Sequence, residues 1–165
     1  TGVSDVLAST SATAPTMPTS YDYRRLIGSI LRESAAIVLF TQDGDDFYRQ
    51  AVAADIAASN PGTAAVTRTL SAPTGVRVKV YVFTGLSSGL ANPVVYLSDL
   101  SNTDAAASPS GAATSGTGNN DDGGSQAQVW TNTSAQIRSR LSASDASTVL
   151  HITTLGWSHP RGRNV

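Results

Sequence analysis

The residue pattern specifies an all-β domain, an antiparallel β-sandwich or jelly roll with one long low-complexity loop and little helix. Three observations carry this. Val76 to Phe83 (VRVKVYVF) alternates strictly, with Val76, Val78, Val80 and Val82 on one face and Arg77, Lys79, Tyr81 and Phe83 on the other. About nine short strand-like runs recur at turn-punctuated intervals, as in sandwiches and jelly rolls. Only one run, Ala51 to Ala58, has helical character.

Length and charge bound the rest. At 165 residues the chain makes one domain, able to bury roughly two thirds of its unfolded surface. A net charge of −1 gives no electrostatic case for nucleic acid or for an acidic membrane surface. No cysteine is present, so disulfides and thiolate metal sites are excluded. No apolar run approaches the roughly 20 residues of a membrane-spanning helix. Lys79 is the sole lysine against ten arginines, which reads as the codon bias of a GC-rich genome.

Taken in order, residues 1–20 form an N-terminal strand (Val3, Val6, Leu7) followed by a linker. Pro15 and Pro18 supply no N–H and hold their neighbours extended. Such a strand needs a partner, upstream or on another subunit. Residues 21–98 make the first part of the sandwich. Tyr21 to Gln50 is the most densely patterned stretch, with strand-like apolar runs at Leu26–Leu31 and Ile37–Phe40. Asp43-Gly44 then reverses the chain, because glycine takes positive φ without cost. Ala51 to Ala58 is a helix candidate by alanine content and the Val52/Ile56 spacing. Ala64–Leu70, Val76–Phe83 and Val94–Leu97 read as strands separated by Pro/Gly turns.

Residues 99–126 differ in kind. Beyond Leu100, no apolar side chain larger than alanine occurs, so the segment reads as a mobile loop and the first site of proteolysis. Residues 127–165 return to β, with strands at Gln128–Thr131, Gln136–Leu141 and Thr148–Trp157 and a basic tail. In Gln136–Leu141, Ile137, Ser139 and Leu141 share a face opposite Arg138 and Arg140.

No constellation for catalysis emerges, and the chain is expected not to be an enzyme. Asp43, Asp45 and Asp46 lack the spacing and closing glutamate of a calcium loop. Asn119, Asn120, Asp121 and Asp122 read as flexible sequence. His151 and His159 have no metal-ligand spacing. No nucleophile elbow, phosphate loop or zinc-protease helix occurs. The expectation is no metal and no cofactor. The remaining signal is aromatic: Tyr21, Tyr23, Tyr48, Tyr81, Tyr96, Trp130 and Trp157 are enough for a binding or subunit face, with Trp157 assigned to the core.

Several motifs then fall in a familiar order. Ser11–Ile30 (SATAPTMPTSYDYRRLIGSI), Phe40–Gln50 (FTQDGDDFYRQ), Ser71–Val78 (SAPTGVRV) and Thr154–Arg163 (TLGWSHPRGR) together resemble a family of small phage-encoded virion proteins. That family carries "APTLPxGY…RRIGSI", then "FxQxGDxF", then "LGWxxRRGR". The residues matching its signature are Arg24, Arg25, Gly28, Gln42, Gly44, Asp45, Phe47, Gly156 and Trp157, with an expected structural role. Ser158-His159-Pro160 departs from the usual tail.

The resemblance implies a structural protein of the virion surface, on tail or head, within a tail fibre, spike or head fibre that supports assembly and host attachment. The implied partners are other copies of the chain, a trimer being favoured, other virion proteins, and a host surface glycan or receptor. A capsid decoration (cement) protein is the alternative, and a glycan-binding or depolymerase domain the second. Arg77, Lys79, Tyr81, Arg138, Arg140, His159, Arg161 and Arg163 are the expected interface residues.

Overall fold

The computed structural model describes residues 4–11, 13–117 and 121–159. Arg161 and Arg163 therefore lie outside the described residues, as do Thr1–Val3 and the Asn119-Asn120 pair. Among the described residues there is no helix, and twelve strands run in this order: β1 (Arg32–Glu33), β2 (Ala36–Ile37), β3 (Phe40–Asp43), β4 (Asp46–Arg49), β5 (Ala54–Ser59), β6 (Val66–Thr69), β7 (Lys79–Ser88), β8 (Val94–Ser98), β9 (Ser115–Gly116), β10 (Asp121–Trp130), β11 (Gln136–Leu141) and β12 (Val149–Ser158). The fold is an all-β antiparallel sandwich.

One sheet has the order β10-β7-β12-β4-β3, with β5 pairing β12 beyond β4; the other has the order β6-β11-β8-β9. β1 and β2 form a separate small hairpin. The alternation of β7 decides its orientation: Val80, Val82 and Leu86 point inward with almost no exposure. Leu150 and Ile152 of β12 extend this face within the same sheet, and Ile137 and Leu141 of β11 with Val95 and Leu97 of β8 close the core from the other sheet. The Arg138/Arg140 face of β11 lies outward, as the alternation requires.

A bulge in β12 corrects its register. Thr154 pairs with Val82 and Gly156 with Tyr81, so Leu155 is the extra residue. Because side chains alternate with period two, this slip turns Trp157 onto the core face opposite Val80, where it is fully buried. Without it the largest side chain in the core would stand on the outer face.

Three expectations are corrected. Ala51–Ala58 is not helical; β5 runs antiparallel to β12, its backbone pairing outweighing the alanine propensity. The segment 99–126 is not one mobile loop. Ser115–Gly116 pairs with Val94–Val95, and Asp121–Gln126 is the first part of β10, paired residue by residue with β7. Its glycines serve close approach rather than freedom: a Cβ on Gly123 would collide with the Gly116 carbonyl, and one on Gly124 would meet the Phe83 ring at 2.6 Å. Finally, among the described residues from 4 to 31 no strand forms, and the apolar run at Leu26–Leu31 is an extended arm lying on the sandwich.

Candidate functional site

The motifs widely separated in sequence meet at one aromatic cluster. Phe47 of β4 is buried and stacks on Trp157 of β12 with ring centroids 5.6 Å apart and planes 6° apart. Phe40 of β3 closes the triangle at 5.4 Å from Phe47 and 6.3 Å from Trp157. The arm is fastened here. Gly28 lies over the Phe47 ring, where a Cβ would come within 3.2 Å of Cζ, and the Trp157 indole N–H donates to the Ser29 carbonyl at 3.3 Å. Gly156 lets β12 pass the β4 backbone, since any Cβ would collide with the Phe47 carbonyl.

The hairpin turn belongs to the same assembly. Gly44 has φ of 58°, and the Gln42 side-chain amide donates to its carbonyl at 3.0 Å. Positive φ at the first central residue alone is the II′ pattern that matches strand twist. The Asp45 carbonyl accepts the His159 backbone N–H at 2.9 Å, tying the turn to the end of β12. Arg24 donates to the Thr13 carbonyl, folding the arm on itself, and Arg25 is exposed. Gly28, Phe47, Gly156 and Trp157 are thus brought together; Arg24 and Arg25 stand apart from them.

The residues expected at an interface divide into three groups. Arg138 and Arg140 reach across to the loop after β8. Arg138 donates to the carbonyls of Asn102 and Leu100 at 2.9 and 3.4 Å, and Arg140 bonds the Asp104 carboxylate at 2.5 Å and the Thr63 carbonyl at 3.2 Å. They pin the stretch read as mobile. His159 is buried rather than in an exposed tail, with Nδ1 unpartnered among the described residues, and burial pushes its imidazole below the ordinary value.

Lys79, Tyr81 and Arg77 occupy the outer face of β7 and the approach to it. Tyr81 stacks on Tyr48 at 5.7 Å, and its hydroxyl donates to the Asp46 carboxylate. Burial, with that carboxylate beside it, raises the phenol to about 12. Arg77 and Lys79 lie over the Trp130 ring at 5.5 and 5.3 Å from its centroid. Arg77 also pairs with Asp99 and donates to the Thr131 carbonyl at 3.2 Å, whereas Lys79 has no ion pair or side-chain hydrogen bond among the described residues.

Beside Trp130 a groove of about 640 Å³ opens between the edge of β10, the end of β8 and the loop that follows it. Its polar walls include Gln128, Asn102, Ser101 and Tyr96. No expectation from the sequence assembled it, because its walls come from segments far apart in the chain. A second buried polar cluster lies under β5. Arg49, 7% exposed along its side chain, pairs with Glu33 at 3.3 Å and approaches Asp55 at 3.9 Å, while Asp55 accepts the Thr154 backbone N–H at 3.0 Å and its hydroxyl at 2.5 Å. Among the described residues, no three His, Asp or Glu side chains converge as a metal site would need.

Compared with protein-family models and with curated proteins, the chain finds no match.

Proposed function

We propose that the protein is a structural component of a bacteriophage virion surface, part of a tail fibre, spike or head fibre, that assembles with further copies of itself and supports host attachment. The observation that carries this reading is the arm. All the exposed large apolar residues among those described, except Phe83 and Trp130, fall between Val6 and Val52. Tyr23 is 92% exposed, Val6 77% and Leu39 69%. An arm clasped at Gly28–Ser29 that exposes Val6, Leu7, Tyr23, Ile27 and Ile30 is suited to lie against a neighbouring subunit, and β3 beside it is a sheet edge. The order of the sequence motifs supplies the phage context, and a trimer is the favoured assembly. No cofactor or catalytic step is part of this role.

Light scattering tests the assembly and immunogold labelling of purified particles tests the place. The expected results are a mass that is a multiple of the 17.0 kDa chain, reduced to one chain when residues 1–27 are removed, and label on the virion surface. A monomer at high concentration, or unlabelled particles, would refute the reading. The capsid-decoration alternative is less favoured because Arg138 and Arg140, the cations suited to an acidic capsid, are spent on internal contacts. Hundreds of copies per particle by quantitative mass spectrometry would reverse that preference. The glycan-binding alternative is taken up next.

A further inference from the structure

We infer that the groove beside Trp130 is a binding site for a carboxylate-bearing saccharide. The wall chemistry selects the class. A sugar ring has an apolar C–H face that packs on an aromatic plane and a rim of hydroxyls that need partners of either sense. Trp130, 38% exposed, supplies aromatic surface at one end. Gln128, Asn102, Ser101 and Tyr96 supply donors and acceptors along the walls. The groove holds about 640 Å³, within the range of small-ligand sites.

Charge selects the subclass. Two cations lie over the Trp130 ring, but only Arg77 is neutralised, by Asp99. The Lys79 ammonium, beside the Trp130 ring though not itself in the groove wall, keeps three donors without a protein acceptor among the described residues, so one uncompensated positive charge lies next to the Trp130 end of the groove. A carboxylate placed there gains a charge-assisted bond, and a neutral sugar gains none. The loop walls are held in place before any ligand arrives, because Arg138 grips the carbonyls of Leu100 and Asn102 and Asp99 accepts the Ser101 backbone N–H at 2.9 Å.

The inference deepens the attachment element of the proposed function and takes from it only the source of the saccharide. The full chain is titrated with oligogalacturonate, oligomannuronate, hyaluronate fragments and oligosialate, and with the methyl ester of each acid that responds. Two internal reporters make the site readable: iodide reaches Trp130 but not the fully buried Trp157, and Lys79 is the only side-chain amine available to an acylating reagent.

At least one acid should protect Trp130 from iodide and Lys79 from acylation, saturably, with its methyl ester weaker by about tenfold or more. Lys79→Gln should lose a similar factor, and Trp130→Ala should abolish binding with the Trp157 emission unchanged. Lys79→Gln, on the outer face, keeps the test decisive if Trp130→Ala does not fold. Silence from every acid, equal binding of acid and ester, or a Lys79→Gln variant of unaltered affinity would overturn the inference. Binding by a protein absent from the particle, or a surface protein that binds no saccharide, separates failure of the role from failure of the site.

Discussion

Replacing Phe47 with alanine removes the ring on which the three separated motifs converge. Phe47 is 2% exposed and lies against Trp157, Phe40 and Gly28. A buried Phe→Ala change costs about 3–5 kcal/mol in transfer and cavity terms. Loss of two aromatic contacts, each about 0.5–1.5 kcal/mol, places the expectation near the top of that range. The void cannot collapse easily, since Trp157 is held by its bond to the Ser29 carbonyl and β12 is wedged against the β4 backbone at Gly156. With a urea m-value of about 1–3 kcal/mol/M, the midpoint should fall by about 2 M, read by Trp157 fluorescence. The arm should become cleavable upstream of Gly28 at protease levels that leave the parent intact. Tyr48→Ala, one residue on and 45% exposed, should cost about 1 kcal/mol. A Phe47→Ala loss under about 1 kcal/mol, or an arm no more cleavable than before, would refute the view that this cluster fastens the arm.

Other perturbations follow from the same contacts. Gly156→Ala should leave little soluble protein, because the added methyl meets backbone rather than a movable side chain; recovery in the soluble fraction with a parental midpoint would contradict this. Asp55→Ala strips Arg49 of one carboxylate and Thr154 of its acceptor, at an expected cost of about 3–5 kcal/mol in denaturant melts, with Asp55→Asn partly restoring it. Tyr81 should ionise near pH 12 in absorbance titrations, and Tyr81→Phe should remove that transition. A folded pKa raised above the ordinary value of about 10 contributes stability that is complete below it and lost as pH climbs toward 12. Alkaline melts of Tyr81→Phe should therefore be less pH-sensitive than those of the parent.

The strongly patterned elements were legible in advance for a simple physical reason. Val78, Val80 and Val82, or Ile137 and Leu141, each point at the same core, so period-two alternation and burial agree. The Asp43-Gly44 reversal was legible because the turn is decided by one residue's freedom at φ 58°. The misreadings arose where composition and context disagree. Ala54–Ser59 is alanine-rich but borders β12, and Asp55 within it, bonded to Thr154, is the residue an isolated helix would not explain. Gly123 and Gly124 lower apparent order in composition, yet their missing side chains are what allow β9 and Phe83 to approach β10. The arginines of β11 looked free because their acceptors, Leu100, Asn102 and Asp104, lie in a segment too polar to read as folded. The Trp130 groove had no local signal at all, since Arg77, Tyr96, Asn102 and Trp130 become neighbours only when β8 and β10 do.

β12 pairs with β4, β5 and β7, and all three precede it in the chain. During synthesis these strands emerge with their shared partner still unmade. From Asp46 to Ser158 the ribosome needs on the order of ten seconds at its usual rate. Until β12 is made, the edges of β4 and β7 that it will cover are open templates, and the Phe47 ring lacks the Trp157 indole that stacks on it. The strand that closes the sheet is also the one that clasps the arm, so the arm at Ser29 gains its fastening only once the sandwich is shut.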